Sequence, residues 1–392
     1  MSGQINEQIN GLQRGSVAVV GAAESDLGQM AQGTHPMDLM AQATLRALDD
    51  CGLTLKDVDG LFVGATQVRM GPMAFAEYLR IKPKYFDGTV IGGSSFMTHV
   101  AHAQAALQLG LCSVAVIAYG STQRSVSRAA ASPREFNPYE SPYRPFMPST
   151  AYAMAAMRHM HQYGTTREQL SEVAVSARKW ALLNPKAWEK EPLTIEQVLN
   201  ARMVSYPLTV RDCCLVLDGG GAIVMVRADR AKSLKKKPVY VLGTGESLSH
   251  ANISSMPDFT VTAAKESGAQ AYAAAKLKPA DMQMLSLYDA FTITPILFLE
   301  DLGFCPKGEG GRFVQGGAIA PGGKLAVNTS GGGLSYCHPG MYGLLVMIEA
   351  IRQVRGECGQ RQVKGCDVAL AHGNGGVLSS ECTVIFGSEA TL

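Results

Sequence analysis

Charge is scarce in this chain and almost cancels: 35 Lys and Arg stand against 33 Asp and Glu, a net charge of +2 over 392 residues. So even a balance gives no pull toward nucleic acid or an anionic membrane surface. The one basic cluster, Lys235-Lys236-Lys237, precedes a strand-like VYVLG and reads as a solvated connector. Paired cysteines are also missing. The nine cysteines lie singly or as the adjacent Cys213-Cys214, with no CxxC spacing for a metal and no disulfide framework. Reduced thiols, a cytoplasmic location and no bound metal are the expectation. No apolar run approaches the roughly 20 residues of a membrane helix. The start, MSGQINEQINGLQRGSVAVVGAA, lacks the apolar stretch of a signal peptide. Glycine clusters at 219–221 and 331–333 fit neither GxGxxG nor GxxxxGK[ST] in a strand-to-helix setting, and there is no GxSxG elbow. Nucleotide loops and serine-hydrolase chemistry are thereby excluded.

What is abundant is glycine, 42 residues, and hydrophobic residues, 46% of the chain, as in a tightly packed α/β enzyme. SVAVVG (16–21) is a buried-strand signal, and HPMDLMAQATLRALDDCGL after it is an amphipathic helix with Asp38 at its start and Gly52 past its end. VDGLFVGAT predicts the next strand, and residues 90–120 repeat loop, helix and strand. Residues 121–205 differ: a Pro/Tyr/Ser-dense run, ASPREFNPYESPYRPFMPST, then helices, predict a cap inserted over a site. The sheet returns at GGGAIVMVRA. The second half restarts at PVYVLGTGES, followed by a long helix over DFTVTAAKESGAQAYAAAKL. CSVAVIAYGS (112–121) and CDVALAHGNG (366–375) both place a Cys-led apolar strand before a polar glycine turn, the pattern of a duplicated unit. The predicted halves are 1–238, with the 121–205 insertion, and 239–392.

Four places bring polar, titratable residues to strand ends or glycine loops: Gly92-Gly93-Ser94-Ser95, Tyr288-Asp289-Ala290-Phe291, NTSGGGLSYCHPGMYGLL with His338 and Tyr342, and AHGNGG with His372. Each also has a bland reading as packing or turn structure. His99 and His102, three apart on one helix face, could bind a metal but lack a third ligand, so buried packing is favoured.

The four blocks together resemble the thiolases, in particular the sterol-carrier-protein and lipid-transfer-protein branch, over essentially the whole chain. NTSGGGLSYCHPGMYG resembles that family's Asn-x-x-Gly-Gly…Gly-His-Pro-x-Gly-x-x-Gly stretch. RDCCLVLDGGGAIVMV resembles the close of its first half, and LYDAFTITPILFLEDLGFCPKGEGGRF its His-Asp-Cys-Phe block. The resemblance implies two duplicated αβ halves in an αβαβα layering. Counting back without gaps from Gly110, the family's nucleophilic cysteine falls on Gly93, which has nothing to acylate. The His or Asn of the second block falls on Tyr288, His338 is retained, and the last acid/base position falls on His372.

With no cysteine, covalent acyl transfer is lost while enolate chemistry survives. The resemblance then points to relatives that act as steroid side-chain aldolases with tyrosines as acid and base. It implies Tyr342 as base and Tyr288 as acid or oxyanion donor, with His338 and His372 as neighbours able to lower a phenol pKa of about 10. Tyr336 is an alternative to Tyr342. Gly93, Ser94, Ser95, Asn328 and Gly375 are the expected substrate and oxyanion-binding positions. The reaction expected is retro-aldol cleavage of a β-hydroxyacyl-CoA, with the CoA thioester as substrate and no permanent cofactor. A homodimer and a small partner carrying an OB-fold and zinc ribbon are implied by the same resemblance. The competing readings are an acyltransferase using Ser94, Ser95 or Cys337, and a non-catalytic acyl-CoA or lipid-binding scaffold.

Overall fold

The computed structural model describes residues 11–127 and 137–392. The first ten residues of the leader reading, and residues 131–136 of the Pro/Tyr-rich run, lie outside them. In the first half the strands are β1 (Val17–Glu24), β2 (Gly60–Val63), β3 (Tyr85–Asp87), β4 (Val114–Ser121) and β7 (Gly219–Arg227), with a small pair at the close of the insertion, β5 (Met203–Ser205) at its end and β6 (Leu208–Thr209) just past it. The second half supplies β8 (Val239–Leu248), β9 (Met284–Leu287), β10 (Ala326–Val327), β11 (Val368–Gly375) and β12 (Ser380–Gly387). Helices of nine or more residues are α1 (Pro36–Cys51), α2 (Gly71–Leu79), α3 (Ser95–Gln108), α4 (Ser149–Tyr163), α5 (Arg167–Ala181), α6 (Ala264–Ala275), α7 (Ile293–Asp301) and α8 (Gly343–Arg355).

The strand order is β10-β9-β11-β12-β8-β1-β7-β4-β2-β3. Read outward from the centre, β1-β7-β4-β2-β3 and β8-β12-β11-β9-β10 are the same design, two antiparallel pairings followed by two parallel ones. The half-sheets join where Ala18 and Val19 of β1 meet Tyr240 and Val239 of β8. Helices α3 and α8 pack on strands of both half-sheets and on each other, with α1 outside the first half-sheet and α6 outside the second. That is the αβαβα layering. A helix enclosed on both sides must be apolar nearly all round, and α3 and α8 are buried over most of their length.

The duplication reaches single residues. The ladder skips Val20 in β1 and Leu242 in β8, a bulge in each, and a glycine follows both. A Cβ built on Gly21 would overlap the Ala47 carbonyl of α1, and one on Gly243 the Ala271 carbonyl of α6. Each outer helix thus lies in backbone contact with its strand.

Local signals explain most boundaries. Helix α1 starts at His35, whose ring accepts from Met37 N–H while Asp38 takes the His35 N–H, and it stops at left-handed Gly52. The helix expected over 258–277 is shorter, because its first residues are claimed by side chains. Asp258 binds the backbone and hydroxyl of Thr260, and Asp301 those of Thr262, so α6 begins at Ala264. In the insertion, Tyr152 of α4 packs on Phe291, and α5 places Arg178 on Ser335. Among the described residues no helix is long and apolar enough to cross a membrane.

Candidate active site

The site forms where four loops of distant sequence meet at backbone contact. Gly92, at φ +88°, and Gly93 open the N-terminus of α3. A Cβ on Gly92 would overlap Gly375 and Gly376, one on Gly375 would overlap the Ile91 carbonyl, and one on Gly343 would overlap the Gly93 carbonyl. The most informative position is Gly93 itself. A side chain there would run into the Tyr288 ring and the Asn374 carbonyl. The phenol of Tyr288 occupies the volume that a residue-93 side chain would need, so glycine at 93 and tyrosine at 288 are one steric arrangement.

Around Tyr288 the rings are ordered. Its centroid lies 5.5 Å from His338 and 5.6 Å from Tyr342, both edge to face, while His338 and Tyr342 stack at 5.7 Å with planes 26° apart. All three are buried. The Tyr288 hydroxyl donates to the Gly340 carbonyl at 3.3 Å and accepts the Tyr342 N–H at 3.0 Å. Tyr342 caps the N-terminus of α8, so that N–H carries the positive end of the helix to the phenol oxygen. Burial outweighs this donor and holds Tyr288 well above the ordinary tyrosine range. Tyr342 is raised as well, first by burial and then by the charge of Asp289, against a 3.4 Å contact with the Ser330 hydroxyl.

Tyr119, at the end of β4, is a residue that sequence reasoning missed. Its hydroxyl donates to the Pro339 carbonyl at 2.7 Å and accepts the Met341 N–H at 3.0 Å. Tyr119 from the first half and Tyr288 from the second therefore clamp consecutive peptide units of the His338–Gly343 turn in the same way. Burial pushes the Tyr119 phenol up to about 12. Asp289, named within the second block, was given no role there. It is fully buried, and its carboxylate accepts Gly333 N–H at 2.6 Å and Leu334 N–H at 3.3 Å. Burial raises it to about 7 in spite of those donors.

Other predicted positions serve the scaffold. The Ser95 hydroxyl donates to Gly92 O at 2.6 Å and accepts Ile91 N–H, while Ser94 is bonded to Ser380 at 2.8 Å and to Ile91 O. Both fix the loop and neither faces a base. Asn328, at φ +54°, uses Oδ1 to accept Leu287 N–H at 2.6 Å, which holds the end of β9 in place. Tyr336 is bound to Glu24 at 2.8 Å, and Glu24 is clamped by Arg352 and Lys186, which hold it low despite burial. That places the alternative base in a structural network. Cys337 is fully buried, and desolvation drives its thiol far up, the opposite of an activated nucleophile.

His372 needs a correction. β11 runs to Gly375, so His372 sits within the strand and not in the glycine turn. Its imidazole contacts Thr383 at 2.9 Å, Glu381 at 3.1 Å and Phe298 at 4.5 Å between centroids. The next residue, Gly373, is the one facing α3, since a Cβ there would meet Met97 and Ser94. Only the His372 carbonyl reaches the cluster, accepting Tyr288 N–H at 3.0 Å. His99 and His102 do not converge either: His99 packs between Phe62 and Phe96, and His102 pairs with Asp87. Among the described residues no group of three or more His, Cys, Asp or Glu is arranged to hold a metal ion.

Comparison with known proteins gives this site its context. Residues 245–388 match the family described as thiolase C-terminal domain-like. The chain is 33% identical to an acetyl-CoA acetyltransferase of Methanothermobacter thermautotrophicus, over 94% of this chain and 99% of that protein. It is 34% identical to a 17-hydroxy-3-oxo-4-pregnene-20-carboxyl-CoA lyase of Mycobacterium tuberculosis, over 87% and 92%. The solved structure of an Ltp2-ChsH2(DUF35) aldolase superposes with a TM-score of 0.87 at 31% identity, covering 97% of this chain and all of that one.

Proposed function

Since the chain belongs to the thiolase superfamily, in its sterol-carrier-protein-type, aldolase-like branch, we propose that it is a carbon–carbon lyase. It cleaves a β-hydroxyacyl-CoA to a ketone and a shorter acyl-CoA. The observation that carries this reading is Gly93 with the Tyr288 ring against it. The position of the acyl-accepting cysteine is filled by a phenol, so a step needing a covalent thioester on residue 93 has no atom to use. A retro-aldol step needs none. The substrate hydroxyl gives its proton to a base, the Cα–Cβ bond breaks, its electron pair becomes the thioester enolate, and an acid returns a proton to Cα.

Tyr288 suits the acid, because burial keeps its proton on at neutral pH and the α8 N-terminus steadies the oxygen when the proton leaves. Tyr342, whose ring stacks on His338 at 5.7 Å beside Tyr288, takes the base role. His372 acts from behind the strand and not as a reacting group.

The substrate is a CoA thioester with a bulky, steroid-like acyl group, supported by the name of the Mycobacterium relative. The acyltransferase reading, favoured by the name of the Methanothermobacter relative, fails on the hydroxyls of Ser94 and Ser95, both engaged within the loop, and on the deeply buried Cys337. The protein pairs with itself along β3 and works with a DUF35-type partner, a pairing supported by the similar aldolase structure, which is that of an Ltp2-ChsH2(DUF35) complex.

The test is the product. Purified protein with such a partner is expected to release ketone and acyl-CoA from a β-hydroxyacyl-CoA with no free CoA added, and Tyr288→Phe is expected to cut turnover by about a hundredfold. Strict dependence on free CoA, or a stable acyl adduct in the intact-protein mass, would overturn the lyase reading.

A further inference from the structure

Behind the tyrosine cluster, on the outer face of β11, four buried polar atoms lie together without a hydrogen-bond partner among the described residues. They are His372 Nε2, both carboxylate oxygens of Glu381, and Asn374 Oδ1. Strand register makes them neighbours: Asn374 is opposite Glu381 and His372 is opposite Thr383, on one face of the β11–β12 pair. His372, Glu381 and Thr383 are wholly buried, and Asn374 is 2% exposed. His372 Nε2 stands 3.1 Å from Glu381 Oε2, near but not aligned for a bond.

The opposite ring edge fixes what Nε2 requires. Nδ1 lies 2.9 Å from the Thr383 hydroxyl, which lies 3.1 Å from the Ser267 hydroxyl of α6. With the Ser267 hydroxyl donating to the Ala264 carbonyl at 3.4 Å, the chain of donors runs from Nδ1–H through Thr383 to Ser267 and leaves Nε2 a bare lone pair that needs a donor. Asn374 Oδ1 is a second acceptor, because its amide nitrogen is spent on the Tyr152 hydroxyl at 2.7 Å. Two acceptors beside a carboxyl group ask for a proton on that carboxyl and a small donor between them, since buried polar groups are almost always bonded.

We propose that Glu381, His372 and Asn374 form a buried proton-holding site that binds one internal water, and that through the Asn374 amide it positions Tyr152 beside the reaction site. The water donates to His372 Nε2 and Asn374 Oδ1 and accepts the Glu381 O–H. Moving the proton breaks the O–H bond on Glu381 and forms an N–H bond on His372 Nε2 by relay through the water. Carboxylate and imidazolium result, and the net charge does not change. The position of Asn374 makes the site matter. Its backbone carbonyl would touch a Cβ on Gly93, and Tyr152 stacks on Phe291, three residues after Tyr288, at 4.4 Å.

The groups around the pair agree with a neutral resting form. From α7, Asp301 faces Glu381 and raises it further after burial has done so, while Phe298 covers the imidazole. Asp301 and Glu300 are both paired with Lys307, and Glu300 also with His159 of α4. From α6 the facing group is Ser267, and from α4 it is Tyr152. Burial drives His372 down to about 3, so neither partner is charged at neutral pH.

The proton and the water stand apart from the lyase reading; only the effect on turnover rests on it. The experiment is infrared spectroscopy of the whole protein at neutral pH, with Glu381→Gln and Tyr152→Phe beside the wild type. A carbonyl band of a neutral buried carboxylic acid is expected from Glu381 in the wild type and in Tyr152→Phe, beside that of the part-protonated Asp289, and the Glu381 component is expected to be missing in Glu381→Gln while the Asp289 component stays. Should Glu381→Gln fail to fold, Tyr152→Phe and a high-resolution crystal structure decide. Density for a water within bonding distance of Glu381, His372 Nε2 and Asn374 Oδ1 supports the site. Lyase turnover is expected to fall about ten- to a hundredfold in both variants with KM little changed. An ionised Glu381 or a dry site overturns the proposal, and so does unchanged turnover in either variant. A wild type that binds the water and shows the band but cleaves no β-hydroxyacyl-CoA condemns the lyase reading alone.

Discussion

Gly93 and Tyr288 form one unit, and neither can be changed alone. Gly93→Ala puts a methyl group into the Tyr288 ring, and the ring, held through its hydroxyl by Gly340 and Tyr342, must leave its place. The expected outcome is a loss of turnover of at least about tenfold, since small misplacements of a reacting group are costly, together with a lower melting temperature. Steady-state kinetics and calorimetry read both, and full activity in Gly93→Ala would mean that the ring position is irrelevant. Asp289 carries a pH signature. Its carboxyl titrates near 7 in the folded chain because of burial, against about 3.9 in an unfolded one. The folded state therefore holds the extra proton across that window, and stability falls as pH rises from about 4 to 7. Denaturation midpoints measured across this range are expected to decline in the wild type, and more shallowly in Asp289→Asn. A slope that the substitution leaves unchanged would assign the decline to another group.

At the scale of elements, the paired bulge and glycine of β1 and β8 set how closely each outer helix approaches. Gly243→Ala is expected to destabilise by about 1–3 kcal/mol, because the new methyl meets the Ala271 carbonyl and not a movable side chain. Urea midpoints would show it, and a neutral result would mean that α6 can slide outward at no cost. This pairing could have been read from the chain: VAVVGAAE and VYVLGTGE line up valine with valine and glycine with glycine. The comparison of residues 112–121 with 366–375 aligned the right strands, β4 and β11, but let His372 stand in a turn that the strand in fact absorbs. Gly93, Tyr288, His338 and Tyr342 were legible because each lies in a block with its own spacing. The roles of Tyr119, Asp289, Asn374 and Tyr152 were not, for a physical reason, although Asp289 and Asn374 lie inside two of those blocks. Each acts through hydrogen bonds to residues distant in sequence, as with Tyr152 and Asn374, 222 positions apart, and such bonds leave no local pattern.

On the whole molecule, the first half-sheet ends in β3, whose outer edge has no strand beside it among the described residues. Phe86 on that strand is 66% exposed, and Met70 and Met73, also largely exposed, flank α2 and its start. An open strand edge with apolar side chains is a template for pairing with another chain. Phe86→Glu is expected to shift the protein from dimer to monomer in light scattering with little change in helix content. A wild type already monomeric at micromolar concentration would remove the self-pairing reading.

The two clamps on the His338–Gly343 turn have a consequence for the life of the chain. Tyr119 is contributed by the first half and Tyr288 by the second, so the turn acts as a coincidence detector that is set only when both halves have docked. A chain still emerging from the ribosome lacks Tyr288 and Tyr342, and a second half that has come loose keeps that pair but loses the Tyr119 clamp on the turn between them. Full alignment of the acid–base pair thus waits on the docking of both halves.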